Sequence, residues 1–259
     1  MKVPLRLYTV SHKPFFLPAH DYLQRVWVGS NTHLRSATDF TDDNGENISS
    51  LNEFFCELTV MYWVWKNVPM PEDACWGLCH YRRFFTDKSR PLSFSNFPMN
   101  RAANEKEMSK YMHATLDDFI LTKLLQSDIV LTYPVNVSLR RKVNITVYDQ
   151  YIGEHSKEEW DMLQAVIAEK YPDYIPSLRL LAAQTKICIA NMMVARAAVW
   201  NDYLPWLFDI TFELHKRLKY TDDVYQQRAV AFIAERLMNL YIRHNKLKPA
   251  YMQLVVFDK

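Results

Sequence analysis

Two guanidiniums close an apolar run. Cys75-Trp76-Gly77-Leu78-Cys79-His80-Tyr81 reads as a buried strand, and Arg82-Arg83 lie at its end. Strand alternation puts His80 and Arg82 on one face and Tyr81 and Arg83 on the other. Two planar bidentate forks at a strand end suit a diphosphate. An Arg pair salt-bridged to surface carboxylates is the alternative. Asp42-Asp43-Asn44-Gly45-Glu46-Asn47 is an acidic, turn-prone loop ahead of a helix. With Gly45 at the sixth position of an EF-hand loop, Phe40 and Leu51 would fall at the first and twelfth, so that calcium pattern fails. The cluster either grips sugar hydroxyls or forms an Asx-rich turn that caps the helix, and the residues alone favour the turn.

Arg228 and Glu235-Arg236 sit on a long C-terminal helix. Arg228 and Glu235 are seven apart, so they share a face with Val224 and Phe232. Charges on an apolar face must be paired or functional, because unpaired burial costs several kcal/mol. A structural ion pair is the plainer account. Asp149-Gln150-Tyr151 with His155 could bind hydroxyls, although a lone His before a helix is more often a cap neighbour. Arg140-Arg141-Lys142 could cover phosphates from a loop or form a solvated basic face. No Gly-x-Ser-x-Gly elbow, His-Glu-x-x-His helix, Cys-x-x-Cys pair or Asp-x-Asp strand end occurs.

The chain has 259 residues and only 4 glycines, where about 18 would be average. Neither a dinucleotide-binding glycine loop nor a Walker loop can be built, so any phosphate must be held by side chains or helix N-termini. Lys plus Arg is 31 and Asp plus Glu is 29. That balance makes no case for nucleic acid. Aromatic residues make up 14% of the chain and could supply both core and sugar-stacking surface. Cys75 and Cys79 fall on one strand face with no second ligand pair, so buried free thiols are expected, not zinc. No signal-peptide core and no membrane-length apolar run is present, which makes a cytoplasmic protein the simplest expectation.

The elements that must position these groups follow from periodicity. Leu5–Val10, Cys75–Tyr81, Asp128–Tyr133, Ile187–Ala195 and Met252–Phe257 read as strands. Helices are predicted from Ser50, where Ser50-Leu51-Asn52-Glu53 fits a capping box, over 116–125, from Ser156 as a second capping box, and over about 197–217 and 223–245. Residues 17–49 look irregular, and 86–115 look like a polar insertion or mobile loop. Strands alternating with helices predict an α/β fold with a mixed, mainly parallel sheet flanked by helices, in one domain. Ligands on such sheets sit beyond the C-terminal strand ends. That selects Ser11-His12-Lys13, His80–Arg83 and Tyr133–Asn144.

Several motifs resemble a known bacterial family. They are Asp42-Asp43-x-Gly45-x-Asn47-Ile48-Ser49, Asn52, Cys56-Glu57-Leu58-Thr59, Tyr62-Trp63-x-Trp65-Lys66-Asn67 and Gly77-Leu78-x-His80-Tyr81-Arg82-Arg83. Tyr148-x-Gln150-Tyr151, His155, Asn191-Met192, Tyr203-x-x-Trp206-Leu207-Phe208 and Arg228-x-x-x-Phe232-Ile233-x-Glu235-Arg236-Leu237 continue the match. The family is long labelled a domain of unknown function and occurs in capsule, exopolysaccharide and O-antigen gene clusters. Its members look like glycosyltransferases, some of them galactosyl- or galactofuranosyltransferases.

The resemblance implies a GT-A-like fold, with a nucleotide-sugar half over about 1–135 and an acceptor half over about 136–259. It implies a UDP-sugar as co-substrate, no resident cofactor, and a lipid-linked or oligosaccharide acceptor at the inner face of the cytoplasmic membrane. Because Arg residues stand where most such enzymes carry metal-binding aspartates, cations would neutralise the leaving diphosphate without a metal. Ser11, His12, Lys13, His80, Arg82 and Arg83 would then meet the nucleotide and diphosphate. Asp42, Asp43, Asn47, His155, Asn191 and Arg228 would hold sugar hydroxyls. Glu235, oriented by Arg228 or Arg236, would be the base, with Asp223 second. Trp200, Tyr203, Leu204, Trp206, Leu207 and Phe208 could dock on a membrane, though core packing is favoured. A non-catalytic carbohydrate-binding protein and a nucleotidyl- or phosphotransferase are the other classes that this composition allows.

Overall fold

The computed structural model describes residues 4–89, 99–139 and 143–257, with the side chains of 30–32 excepted. The basic run 140–142 therefore lies outside the described residues. The chain runs β1 (Leu5–Ser11), β2 (Leu23–Trp27), β3 (Phe40–Thr41), α1 (Asn52–Phe55), α2 (Leu58–Asn67), β4 (Cys75–His80), β5 (Arg83–Thr86) and β6 (Met99–Ala102). There follow α3 (Glu105–Tyr111), α4 (Leu116–Leu124), β7 (Ile129–Thr132), β8 (Val135–Asn136), α5 (Val147–Glu154), α6 (Lys157–Lys170) and α7 (Ile175–Ala182). The last elements are β9 (Lys186–Ile187), β10 (Met193–Arg196), α8 (Ala197–Arg217), α9 (Ala229–His244) and β11 (Pro249–Phe257).

Both faces of the sheet are covered, which is why β1 and β4 read as nearly continuous apolar runs. Tyr8, Val10, Trp76 and Leu78 face one core, built with α2, α6, α8 and α9. Leu5, Leu7, Cys75 and Cys79 face the other, which α3 and α4 close. Trp76 stacks on Trp200 of α8 at 4.0 Å, and the Trp200 indole donates to the Trp76 carbonyl. The six aromatic and apolar residues of α8 considered for membrane docking are all buried, so that face belongs to the core. Among the described residues no helix is long and apolar enough to cross a membrane. The four cysteines are free thiols, three of them buried.

The sheet is mixed, as expected, but the expected parallel arrangement does not run unbroken across it. β3, β2, β1 and β4 run parallel to one another, as do β7, β11 and β6. β10 runs antiparallel to both β4 and β7, and β5 runs antiparallel to β11 and β4, so both joins between the groups reverse direction. Gly77 permits the first join. A Cβ there would lie 2.6 Å from the Met193 carbonyl oxygen and from a Val194 methyl. Gly77→Ala is therefore expected to lower stability by about 1–3 kcal/mol through overpacking, read as a lower urea midpoint.

Other expectations fail locally, each for a visible reason. The 17–49 stretch contains β2, whose Val26 and Trp27 are buried beside β1. The polar stretch after residue 86 supplies β6 and α3, and Asn100 of β6 is buried. The helix expected from Ser50 is broken. Residues 49–51 form a 3-10 turn without a side-chain cap, and Cys56 at φ +47° separates α1 from α2. The Asn52 amide holds the break by donating to the Cys56 carbonyl and to Thr59 Oγ1, both at 3.1 Å. Ser156 caps α6 through the Glu158 amide, while the capping box belongs to Thr146 and Asp149 at the start of α5.

Candidate active site

Strand β1 ends at Ser11 and β4 at His80, side by side and pointing the same way. The alternation expected beyond His80 does not occur. Tyr81-Arg82 is a two-residue turn, and Arg83 returns in β5 directly opposite His80. The fully buried Phe84 and Phe85 pull the chain back into the sheet. Arg83 therefore joins the His80 side. Tyr81 becomes the post around which the other cations gather. His12 meets its ring edge-on at 4.6 Å, Lys13 Nζ lies 5.8 Å from its centroid and the Arg82 guanidinium 5.5 Å. His12, Lys13 and Arg82 are exposed, whereas Ser11 is buried and its hydroxyl donates to the Lys13 carbonyl. Partial desolvation pushes the His12 pKa down, and Lys13, Arg228, Arg82 and His80 push it further. Arg228, at the start of α9, thus contributes to the same positive field.

A strained dipeptide organises the other half. Ala190 and Asn191 both adopt left-handed backbone, at φ +70° and +48°. Each such residue costs roughly 1 kcal/mol or more and persists only where its surroundings hold it. Here three chemistry-bearing side chains do the holding. His80 Nε2 donates to the Ala190 carbonyl at 2.6 Å. The Ala190 amide donates to Glu235 Oε1 at 2.8 Å. Asn191 Nδ2 donates to Glu57 Oε1 at 2.8 Å. Burial lowers the His80 pKa, a trend that Glu57 opposes and Arg83 and Arg228 reinforce, so His80 is a neutral positioning donor rather than a phosphate-binding cation. Burial raises the Glu235 pKa, while Arg236, the Ala190 amide and Arg83 oppose it.

Arg236, itself buried, orients Glu235 by donating to Oε2 at 3.1 Å, and it also donates to Gln150. Arg228 does not orient Glu235; its Nε donates to Cys56 Sγ at 3.1 Å and its guanidinium lies over Phe232 at 5.1 Å. Val224 lies outside the helix and is 76% exposed, so it shares no buried face with either charge. Glu235, Arg236 and Gln150 line a cavity of about 250 Å³ that β8 and β9 close on the far side. Two further residues come from tertiary contact. Glu57 places a nearly buried carboxylate in the field of His80 and Glu235, and Cys56 presents its thiol to Arg228. Both stand in the Cys56-Glu57-Leu58-Thr59 motif, the one available signal.

The remaining predicted residues scatter. Asp223 is exposed and accepts from the Tyr225 and Gln226 amides, as a turn cap away from the dipeptide. His155 stacks on Phe232 at 4.2 Å and bonds Gln226, close to Arg228 but outside the hub. Asn191 is buried beneath Glu57 rather than open to a sugar. Asn47 closes its own turn through the Gly45 carbonyl and the Ser49 amide, and Asp43 is exposed on the same turn. Asn67 ties that turn to α2 by accepting from the Glu46 amide, in the space that a side chain at Gly45 would fill. This loop is the Asx-rich turn that the residues favoured.

Asp42 differs from its neighbours. It is fully buried, with one carboxylate oxygen accepting from Thr59 and the other unpartnered among the described residues. Burial pushes its pKa up to about 6 from an ordinary 3.8, against the Thr59 bond. The protonated form is thus the one that the fold favours. That contribution is full below the unfolded value and lost as pH rises through about 6, so ionised Asp42 costs about 3 kcal/mol at pH 8. Asp42→Asn is expected to be more stable than wild type at pH 8 and no more stable at pH 4 in urea titrations. Destabilisation at pH 8 would show instead that the carboxylate is needed there.

Among the described residues no three His, Cys, Asp or Glu side chains converge as metal ligands. The groups around Tyr81 are mainly cationic, a donor set suited to an anion and not to a divalent cation.

A model of the family described as "Domain of unknown function (DUF4422)" matches residues 6–246. The chain belongs to this family. The motif resemblance is thereby borne out. No curated protein matches the chain. Among solved structures, this member of the family superimposes on the apo structure of the WbbM bifunctional glycosyltransferase with a TM-score of 0.85 and 26% identity. The match covers 99% of this chain and 46% of that one, so the chain spans about half the length of the solved relative.

Proposed function

We propose that the protein is a GT-A-like glycosyltransferase that moves a hexose, galactose or galactofuranose, from a UDP-sugar to a growing bacterial surface polysaccharide. The observation that carries this reading is the convergence at one sheet edge. A cationic cluster stands at the ends of β1 and β4, next to a carboxylate, Glu235, that is half-buried, oriented and open to a cavity. The strand-end position is where open α/β sheets bind ligands. The likeness to a glycosyltransferase over the whole chain supports the same assignment.

In this reading Lys13, Arg82, Arg83 and Arg228 bind the diphosphate of the donor, and His12 and Tyr81 border it. For transfer with inversion, the acceptor hydroxyl oxygen attacks the anomeric carbon as the bond from that carbon to the diphosphate oxygen breaks. Glu235 takes the hydroxyl proton, and the departing UDP keeps the bonding electron pair in the field of the arginines. Residues up to about 135 form the nucleotide-sugar half, and the rest form the acceptor half. The acceptor is a lipid-linked or free oligosaccharide, met by a cytoplasmic protein at the inner membrane face. Transfer needs no metal, because guanidiniums supply the charge.

The test is a thermal-shift titration with UDP in EDTA, repeated with Mn²⁺. A ligand that binds only the native state raises the melting temperature by mass action. A shift in EDTA is expected. A shift only with Mn²⁺ would keep the transferase and discard the arginine site. No shift in either would overturn the UDP-sugar reading.

A further inference from the structure

A second, larger cavity of about 580 Å³ lies beyond the first, between β9, the start of β11 and the last turns of α9. Three cations line it: Lys186 of β9, Arg243 of α9 and Lys246 just past that helix. Among the described residues none of the three has a carboxylate in ion-pair range. Basic groups in the last helical turn are ordinarily explained by the helix dipole. That accounts for Arg243. It does not account for Lys186, which comes from a strand. Nor does it account for Lys246, which holds left-handed backbone at φ +54°, where Gly or Asn would serve the turn at less cost. The wall also carries an aromatic platform. Tyr251 lines the cavity and stacks with the exposed Tyr133 at 5.6 Å and 25°. Unpaired cations beside a tyrosine face are the chemistry that recognises a sugar carrying a negative group.

The two cavities adjoin. Ile187 lines both, and α9 presents Glu235 and Arg236 to the smaller and Asn239, Ile242 and Arg243 to the larger, with Lys246 just beyond its end. Glu235 and Arg243 are eight residues apart, roughly 12 Å along the helix.

We propose that the larger cavity binds a phosphate or carboxylate attached to a sugar of the acceptor, whose chain runs along α9 to Glu235. This rests on the transferase reading for the word acceptor, but the binding itself does not depend on turnover. The volume is within the range of small-ligand pockets.

Saturation-transfer NMR of the full chain in excess UDP tests it, with methyl galactoside, methyl galacturonide and galactose 1-phosphate as probes. UDP keeps the sugar phosphate out of the nucleotide site. Both charged probes are expected to bind at least about tenfold tighter than the neutral one, equivalent to about 1.4 kcal/mol. Arg243→Ala/Lys246→Ala is expected to erase that advantage while retaining the UDP-induced melting shift. Lys186→Ala alone, on a different element, should weaken the charged probes in the same direction if the double variant fails to fold. The stronger of the two charged probes identifies the group as carboxylate or phosphate. Equal binding of all three probes, or charged probes that bind the variants as well as wild type, would overturn the proposal. If UDP gives no shift yet the charged probes still depend on Arg243, Lys246 and Lys186, the anion site stands and the UDP-sugar reading falls.

Discussion

Glu235→Gln is expected to lower kcat by about 10²–10⁴-fold while leaving the UDP-induced melting shift intact. Gln keeps the size of the side chain and can still accept from the Ala190 amide, the bond that Glu235 Oε1 makes at 2.8 Å. It cannot take a proton at neutral pH. The bonds from the Ala190 amide and from Arg236 use one lone pair on each carboxylate oxygen, so capacity remains toward the cavity. The pH profile gives an independent readout. Burial holds the Glu235 pKa above the ordinary carboxylate range, and the base is active only when ionised. Activity of the wild type should therefore fall with decreasing pH through that raised value, and the variant should lose this acid limb. Glu57 is the rival carboxylate, since it lies in the same field and is held by Asn191. Near-normal turnover in E235Q, with the acid limb lost in E57Q instead, would transfer the role to Glu57.

Arg82→Ala/Arg83→Ala is expected to abolish the UDP shift in EDTA. A hydrogen bond to a charged group contributes roughly 1.5–3 kcal/mol, so each lost guanidinium should weaken UDP by about 10–100-fold. Arg82 is exposed beside Tyr81, so part of its attraction is screened, and UDP affinity should also decline with added NaCl. Lysines would not rescue fully, because a point charge lacks the bidentate fork. Measured UDP affinity within about threefold of wild type in the double variant would remove these arginines from the site.

Much of the frame was legible in the sequence because periodicity is local. The apolar runs of β1, β4, β7 and β11 and the stripes of α4, α6, α8 and α9 stand where they were expected. β2 was missed because Leu23-Gln24-Arg25-Val26-Trp27 alternates weakly and becomes a strand only by lying beside β1. The break at Cys56 was missed because a left-handed residue is usually flagged by Gly or Asn, and here a Cys holds it with help from Asn52.

The same division runs through the candidate site. The glycine count of 4 determined by itself that phosphates must be met by side chains or helix ends, and the motifs placed the cationic run 80–83 and the pair 235–236. The sequence also specified the core helices, since their spacing leaves no other face to bury. Which groups meet was decided only by tertiary structure. His80 reaches Ala190 across 110 positions of sequence and Asn191 reaches Glu57 across 134. Contacts at such separation depend on how the sheet closes and how α9 crosses it. No local pattern encodes that Ala190 and Asn191 would be bent into a hub joining Glu57, His80 and Glu235, because the strain of that backbone is stable only once the surrounding elements have packed around it.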